Sequence, residues 1–184
     1  KEYGGIYSTH MRDEGRGLLD SVAESIDVAV KSGVSLLITH LKAGFRANWG
    51  KVKEAINMID EARKSGVDVD FDVYPYTAYG SGLIDVIPPW FREQGMKHMV
   101  NLLKDEETRK RVIKDMQIDH ADWENPLYGS NWEDIQVATL KTEKNKKYEG
   151  KNLAEIAEDM GVSPYEAIIK LLIEEQGAIK AIYF

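Results

Sequence analysis

The stretch Val34-Ser35-Leu36-Leu37-Ile38-Thr39-His40-Leu41-Lys42 is an apolar run that ends in Thr, His, an apolar residue and a base. A short apolar run without alternation marks a strand covered on both faces. Thirty residues upstream, Ser8-Thr9-His10-Met11-Arg12 repeats that ending behind Ile6 and Tyr7, so residues 6–10 read as a second strand of the same kind. Between the two, residues 18–32 place Leu18, Val22, Ile26 and Val30 at helical spacing, and Gly33 is a stop signal. Downstream, residues 49–65 show a helical face of Val52, Ala55, Ile56, Ile59 and Ala62, closed by Gly66. Residues 67–73 then alternate Val, Asp, Val, Asp, Phe, Asp, Val, which is a strand of period two. Strand, helix, strand, helix, strand predicts parallel strands joined by helical crossovers.

Beyond this segment the pattern changes. Pro88-Pro89 opens a helical region that runs through residues 96–116, and residues 121–131 are irregular. Ile135, Val137 and Thr139 suggest an isolated strand, and a lysine-rich connection follows. Residues 153–160 and 164–175 read as helices, the first stopped by Gly161, the second capped by Ser163 with Pro164 at its first position. A last strand is expected over residues 178–184. This gives residues 1–82 as a βαβαβ portion, 83–150 as a mainly helical insertion, and 151–184 as a return to the parallel layer.

The 184 residues are 43% hydrophobic and carry a formal net charge of -7, a balance that supports a folded chain and disfavours nucleic acid or an anionic membrane as partner. No apolar run approaches the length of a membrane span. The absence of cysteine removes disulfides and thiolate metal ligands, and fits a cytoplasmic protein. The chain opens on Lys1 and closes on Ala181-Ile182-Tyr183-Phe184, and is expected to be a piece of a longer protein. The outer edges of its first and last strands should then invite association with another chain.

The chemistry rests on the repeated strand end. Taken singly, His10 or His40 would be read as structural. At matching C-terminal ends of adjacent parallel strands they can converge on one ion, and neutral imidazole suits zinc. One strand–helix unit of a parallel barrel spans about 30 residues, and active sites of such barrels gather at those strand ends. His98, in a helix, and His120, in a polar stretch, read as solvated or structural. Tyr74 and Tyr76 stand at the end of the third strand around Pro75, either as rim aromatics or as hydroxyls over a pocket. Asp72 is placed to orient a ligand without touching the metal.

Four segments in order, Tyr7-Ser8-Thr9-His10-Met11-Arg12-Asp13-Glu14-Gly15, Ile38-Thr39-His40-Leu41-Lys42-Ala43, Asn48-Trp49-Gly50-Lys51 and Phe71-Asp72-Val73-Tyr74-Pro75-Tyr76-Thr77-Ala78, resemble the N-acyl-D-amino-acid deacylase (D-aminoacylase) family of the amidohydrolase superfamily. The likeness is dense over residues 5 to about 90 and resumes weakly from Tyr148. It implies a (β/α)₈ TIM barrel in the parent, with the three strands here as its fifth, sixth and seventh, followed by the start of the next. It implies zinc held by His10 and His40, hydrolysis of N-acyl-D-amino acids, and substrate contacts from Lys42, Tyr74 and Ser81. Lys42 would face the substrate carboxylate. The family's first-strand His-x-His pair, its fourth-strand ligand and its acid–base Asp, expected beyond Phe184, are not in this chain, so no catalytic acid–base residue is assigned to it and the chain alone is expected to be inactive. Tyr79 interrupts the family's run from Thr77-Ala78 to Gly80-Ser81. Two other readings stand beside this one: a cyclic amidohydrolase of the dihydroorotase or hydantoinase type, which would share the histidines but not the Tyr-Pro-Tyr segment or Lys42, and a non-catalytic packing module.

Overall fold

In the computed structural model, which describes residues 3–184, strands β1 (Ile6–Thr9), β2 (Ser35–Ile38) and β3 (Val69–Phe71) lie side by side in chain order, all parallel. Helices α1 (Leu18–Ser32) and α2 (Lys51–Lys64) make the two crossovers. The pairing runs Thr9 against Ile38 and Ile38 against Phe71, so the three strands end almost level. Leu36, Ile38 and Val69 from the sheet pack with Leu18, Val22, Ala29, Ala55, Ile59 and Ala62 from the helices.

The buried stripe of α1 differs from the one read in the sequence. It runs Leu18, Val22, Ser25, Ala29, while Val30 is 58% exposed. A helix turns once in 3.6 residues, so repeated steps of four rotate off the face by about 40° each. Mixing steps of four and three keeps the stripe on the core. Gly33 closes α1 in the left-handed region (φ +65°) and donates its N–H to the Ala29 carbonyl at 2.7 Å.

The chain divides into two compact units, the first ending at Pro75 and the second running Tyr76–Phe184. In the second unit β4 (Tyr79–Gly82), β5 (Ile135–Thr139) and β6 (Lys180–Tyr183) form an antiparallel sheet in the order β4-β6-β5. Three expectations are corrected here. Residues 135–139 are not an isolated strand. The last strand does not rejoin the parallel layer as an edge; it lies at the centre of the second sheet. The region taken as a mainly helical insertion belongs to a unit with its own sheet. The reason is shared: the segment around Gly80 and Gly82 has weak strand propensity alone, and becomes β4 because β6 supplies a partner ladder.

Around that sheet pack α3 (Met96–Lys104), α4 (Glu106–Met116), α5 (Leu153–Met160) and α6 (Pro164–Glu174). The helical region read as continuous breaks at Asp105, whose carboxylate accepts the Thr108 N–H at 2.8 Å and starts α4. Asn152 and Glu155 form a reciprocal capping box on α5, each bond 2.9 Å. The buried carboxylate of Glu175 accepts N–H groups from Lys141 (2.6 Å), Thr142 (3.1 Å) and the Asn145 side chain (2.8 Å), fixing the turn that leaves β5. No helix among the described residues is long and apolar enough to cross a membrane.

Candidate metal centre

His10 follows the last residue of β1, and His40 lies two residues past β2. Thr39 ties the strand ends together: its N–H and its hydroxyl both donate to the Thr9 carbonyl, at 3.0 and 2.8 Å. His40 occupies the left-handed region at φ +43°. A residue with a Cβ held there costs on the order of 1–2 kcal/mol. Asp72, just past β3, offsets this cost by accepting the His40 N–H on its carboxylate at 2.6 Å and the Leu41 N–H on its carbonyl at 2.9 Å. Asp72 thus acts on His40 through the backbone.

The two imidazoles meet. His10 Nδ1 lies 2.9 Å from His40 Nε2, with ring centroids 4.7 Å apart at 69°. Two lone pairs that close repel unless a proton or a cation lies between them. Tetrahedral zinc bonded at 2.0–2.1 Å separates two nitrogen ligands by about 3.3 Å, near the spacing seen. Glu14 completes the cluster, and donor atoms of His10, Glu14 and His40 all lie within 4.8 Å of one another. A set of two nitrogens and a carboxylate fits a borderline dication such as zinc.

Glu14 received no role from the sequence. It is only 7% exposed and comes from the loop after β1. Its carbonyl accepts the Gly44 N–H at 2.7 Å, and Asp13 folds the loop by accepting the Gly15 N–H at 2.7 Å. Its carboxylate meets His40 Nδ1 at 2.9 Å through Oε1 and pairs with the Lys42 ammonium through Oε2. Spacing could not find it, because a four-residue separation from His10 has no fixed meaning in a loop. The one available signal was its inclusion in the Met11-Arg12-Asp13-Glu14-Gly15 segment.

Lys42 reaches the cluster, though not as an extension of the strand. β2 ends at Ile38, and the Lys42 side chain turns back so that Nζ lies 3.2 Å from the His40 carbonyl and 3.0 Å from His40 Nδ1. The same ammonium is 5.8 Å from the centre of the Tyr74 ring. Burial, with the nearby Glu14 charge, holds the Tyr74 phenol above its ordinary pKa and therefore neutral. Ser81 belongs to the second unit, on β4, where its hydroxyl donates to Asp85, whose other oxygen accepts from Arg92 at 2.8 Å. His120, also in that unit, lies 3.1 Å from the Asp115 carbonyl through Nε2, and its ring meets Trp90 edge-on at 4.8 Å.

No family model matches the chain. Among curated proteins it is similar to the N-acyl-D-glutamate deacylase of Alcaligenes xylosoxydans xylosoxydans, 37% identical over 81 residues, which are 44% of this chain and 17% of that protein. It is likewise similar to the D-aminoacylase of the same organism, 38% identical over 76 residues, 41% of this chain and 16% of that protein. Among solved structures, all of this chain superposes on 28% of the N-acyl-D-glutamate deacylase of Bordetella bronchiseptica, complexed with zinc and a phosphonate inhibitor, at TM-score 0.66 and 22% identity; that likeness concerns the fold. It also superposes on 28% of a D-aminoacylase described as defining a novel subset of amidohydrolases, at TM-score 0.62 and 26% identity. A D-aminoacylase studied for its binuclear metal centre gives TM-score 0.63 and 26% identity over the same shares. The chain thus spans under a third of the relatives it matches, and its resemblance to the N-acyl-D-amino-acid deacylases is found both in sequence and in fold.

Proposed function

We propose, for a chain that resembles the N-acyl-D-amino-acid deacylases, that it forms part of a zinc-dependent amidohydrolase which cleaves N-acyl-D-amino acids to a carboxylate and a D-amino acid. In this reading β1, β2 and β3 are the fifth to seventh strands of a (β/α)₈ barrel, and the protein works in the cytoplasm. The observation that carries the proposal is the meeting of His10 Nδ1 and His40 Nε2 at 2.9 Å, at the C-terminal ends of neighbouring parallel strands.

His10 and His40 would hold the ion. Zinc, when bound, supplies a Lewis acid for the scissile carbonyl and makes water a nucleophile near neutral pH. The remaining work falls to the chain's own groups. Lys42 offers an ammonium for the substrate carboxylate, and Tyr74 a neutral hydroxyl beside it. Holding that carboxylate fixes which face of the α-carbon meets the reacting centre, which is how a D-substrate would be selected. Ser81 is a third candidate contact, from β4. The acid–base group and the remaining ligands would come from other parts of the full-length protein, so the 184 residues alone should not turn over substrate.

Assay of the full-length protein against paired N-acyl-D- and N-acyl-L-amino acids tests this directly. Hydrolysis of D-substrates is expected; a preference for L-substrates, or for cyclic amides, would overturn it. The chain alone should also self-associate through the outer edge of β1, where Ile6 is 62% exposed, and a monodisperse monomer in sedimentation at high concentration would contradict that.

A further inference from the structure

We propose that Asn48 and Lys51 are positioning residues: they fasten the loop that carries Lys42 to the loop that carries Glu14, and so set the Lys42 ammonium where the substrate carboxylate arrives. The proposal rests on the reading of Lys42 as the carboxylate anchor.

Asn48 lies in the loop between β2 and α2 and is only 8% exposed. Its side-chain amide donates from Nδ2 to the Gly44 carbonyl at 2.9 Å, and its backbone N–H donates to the next carbonyl, that of Phe45, at 3.0 Å. Phe45 has φ +62° and ψ 144°, a backbone conformation that residues with a Cβ rarely adopt. Such strain persists only where the surroundings over-determine it, and it gathers at functional sites. Asn48 Oδ1 accepts from the Lys51 ammonium at 2.8 Å, and the same ammonium donates to the Arg16 carbonyl at 3.0 Å. Lys51 is the first residue of α2, so the helix itself is tied into the loop.

These bonds close a ring between the two loops. Gly44 is buried; it donates its N–H to the Glu14 carbonyl at 2.7 Å and accepts the Asn48 amide on its own carbonyl. Lys51 meets the first loop again at Arg16, so the loops are joined on either side of Gly15. Lys42 is suspended in this frame. Two residues before it, the His40 N–H is held by Asp72 at 2.6 Å; two residues after it, Gly44 is held at both backbone groups. Its ammonium pairs with the carboxylate of Glu14, whose carbonyl is part of the ring. The residue types suit the task. An amide gives a donor and an acceptor on one short stem, whereas Asp could accept from Lys51 but not donate to Gly44, and Ala could do neither. A displacement of about 1 Å in a group that positions substrate can cost on the order of a hundredfold in rate, so a loop tied at this many points suits one that delivers an anchor. A purely structural role makes a different forecast: every substrate, and the metal, would suffer alike.

The test uses the full-length protein with Asn48→Ala, Asn48→Asp and Lys51→Met. It measures kcat/KM on an N-acyl-D-amino acid and on its carboxyl-amidated analogue, zinc affinity by chelator competition, and amide hydrogen exchange over residues 41–50. Asn48→Ala should lower kcat/KM on the acid by about tenfold, the kinetic equivalent of one lost hydrogen bond, and leave the amidated substrate and zinc affinity within about twofold of the parent. Exchange over residues 41–50 should quicken by about tenfold in the same variant. Asn48→Asp keeps the Lys51 bond and loses the Gly44 one, and should lose as much as Asn48→Ala. Lys51→Met leaves both bonds donated by Asn48 and should lose less, about threefold. It truncates a partly exposed side chain, so the readout stands even where Asn48→Ala fails to fold. On a Lys42→Met background, Asn48→Ala should cost almost nothing further. Equal losses on acid and amidated substrate, exchange at the parent rate, or zinc affinity falling in step with turnover overturns the proposal. Acid-selective loss in Lys42→Met beside unselective loss in Asn48→Ala overturns this proposal alone. Unselective loss in Lys42→Met itself removes the carboxylate-anchor reading, and the role of Asn48 and Lys51 with it.

Discussion

The two units of this chain solve the same folding problem in different ways. In the first, strands adjacent in sequence are adjacent in the sheet, each joined to the next by one helix, and the buried side chains are few. In the second, the sheet order β4-β6-β5 joins segments far apart in sequence, and the apolar cluster is larger and fully buried at Leu83, Ile87, Leu103, Leu153, Leu171 and Leu172. The candidate metal residues lie at strand ends of the first unit, on side chains that leave the core: His10 is exposed and His40 partly so. Regular parallel strands ending level bring chemistry together cheaply, whereas a large core supplies stability without exposing reactive groups.

The largest effect that can break this contrast is on chemistry. In the full-length protein His10→Ala or His40→Ala should remove zinc and turnover together, by at least about a hundredfold, because a site with few ligands does not survive the loss of one. Compared as metal-free proteins, parent and variant should melt alike. Retained zinc with normal turnover would show the histidines to be structural.

Core truncation should act on stability. Leu172→Ala, at 0% exposure, should cost about 2–5 kcal/mol in urea unfolding and leave zinc affinity unchanged. Ile38→Ala, also at 0% exposure, should cost stability in the same range and weaken zinc as well, since Ile38 is the last β2 residue before Thr39 and His40. Equal zinc loss in both variants would erase the contrast.

A smaller effect concerns the substrate. Lys42→Met should lower kcat/KM by about ten- to a hundredfold, the kinetic equivalent of a charged hydrogen bond of roughly 1.5–3 kcal/mol. The loss should nearly vanish for an analogue whose carboxylate is amidated. Equal losses on both substrates would assign Lys42 to the metal site or the fold.

The smallest effect is a pH dependence in the second unit. Burial alone would raise the Glu175 pKa, but hydrogen bonds from Asn145, Thr142 and the Lys141 backbone more than offset it and hold the carboxyl below its ordinary range. A depressed folded pKa contributes stability that is present above the unfolded pKa and lost as pH falls through the folded one. Parent and Glu175→Gln should therefore differ by about 2 kcal/mol at neutral pH and converge in acid, below the ordinary glutamate range. A gap that persists in acid would mean the charge is not what holds the turn.

Much of the first unit was legible because helices and parallel strands announce themselves locally. The limits of α1 follow from Leu18 at one end and Gly33 at the other, and the Thr-His echo by itself points to both histidines. What could not be read depends on distant partners. β4 contains Gly80 and Gly82 and has no periodic signal; it is a strand because residues 180–183 pair with it. Glu14 is an acid among acids until its loop folds over His40 and Lys42. The exposure of Val30 is a matter of helical rotation, too fine for a pattern of fours.

The central place of β6 has a consequence for the order of assembly. During synthesis β1, α1, β2, α2 and β3 emerge as neighbours and can pair as they appear, with short loops to close. β4 and β5 emerge next but share no ladder; each pairs with β6, which follows β5 by some forty residues and β4 by almost a hundred. Closing contacts that distant carries a larger entropy cost and proceeds more slowly. Until β6 arrives, β4 and β5 present unpaired backbone, so a ribosome stalled shortly before residue 180 should hold a protease-resistant first unit attached to a protease-sensitive second one.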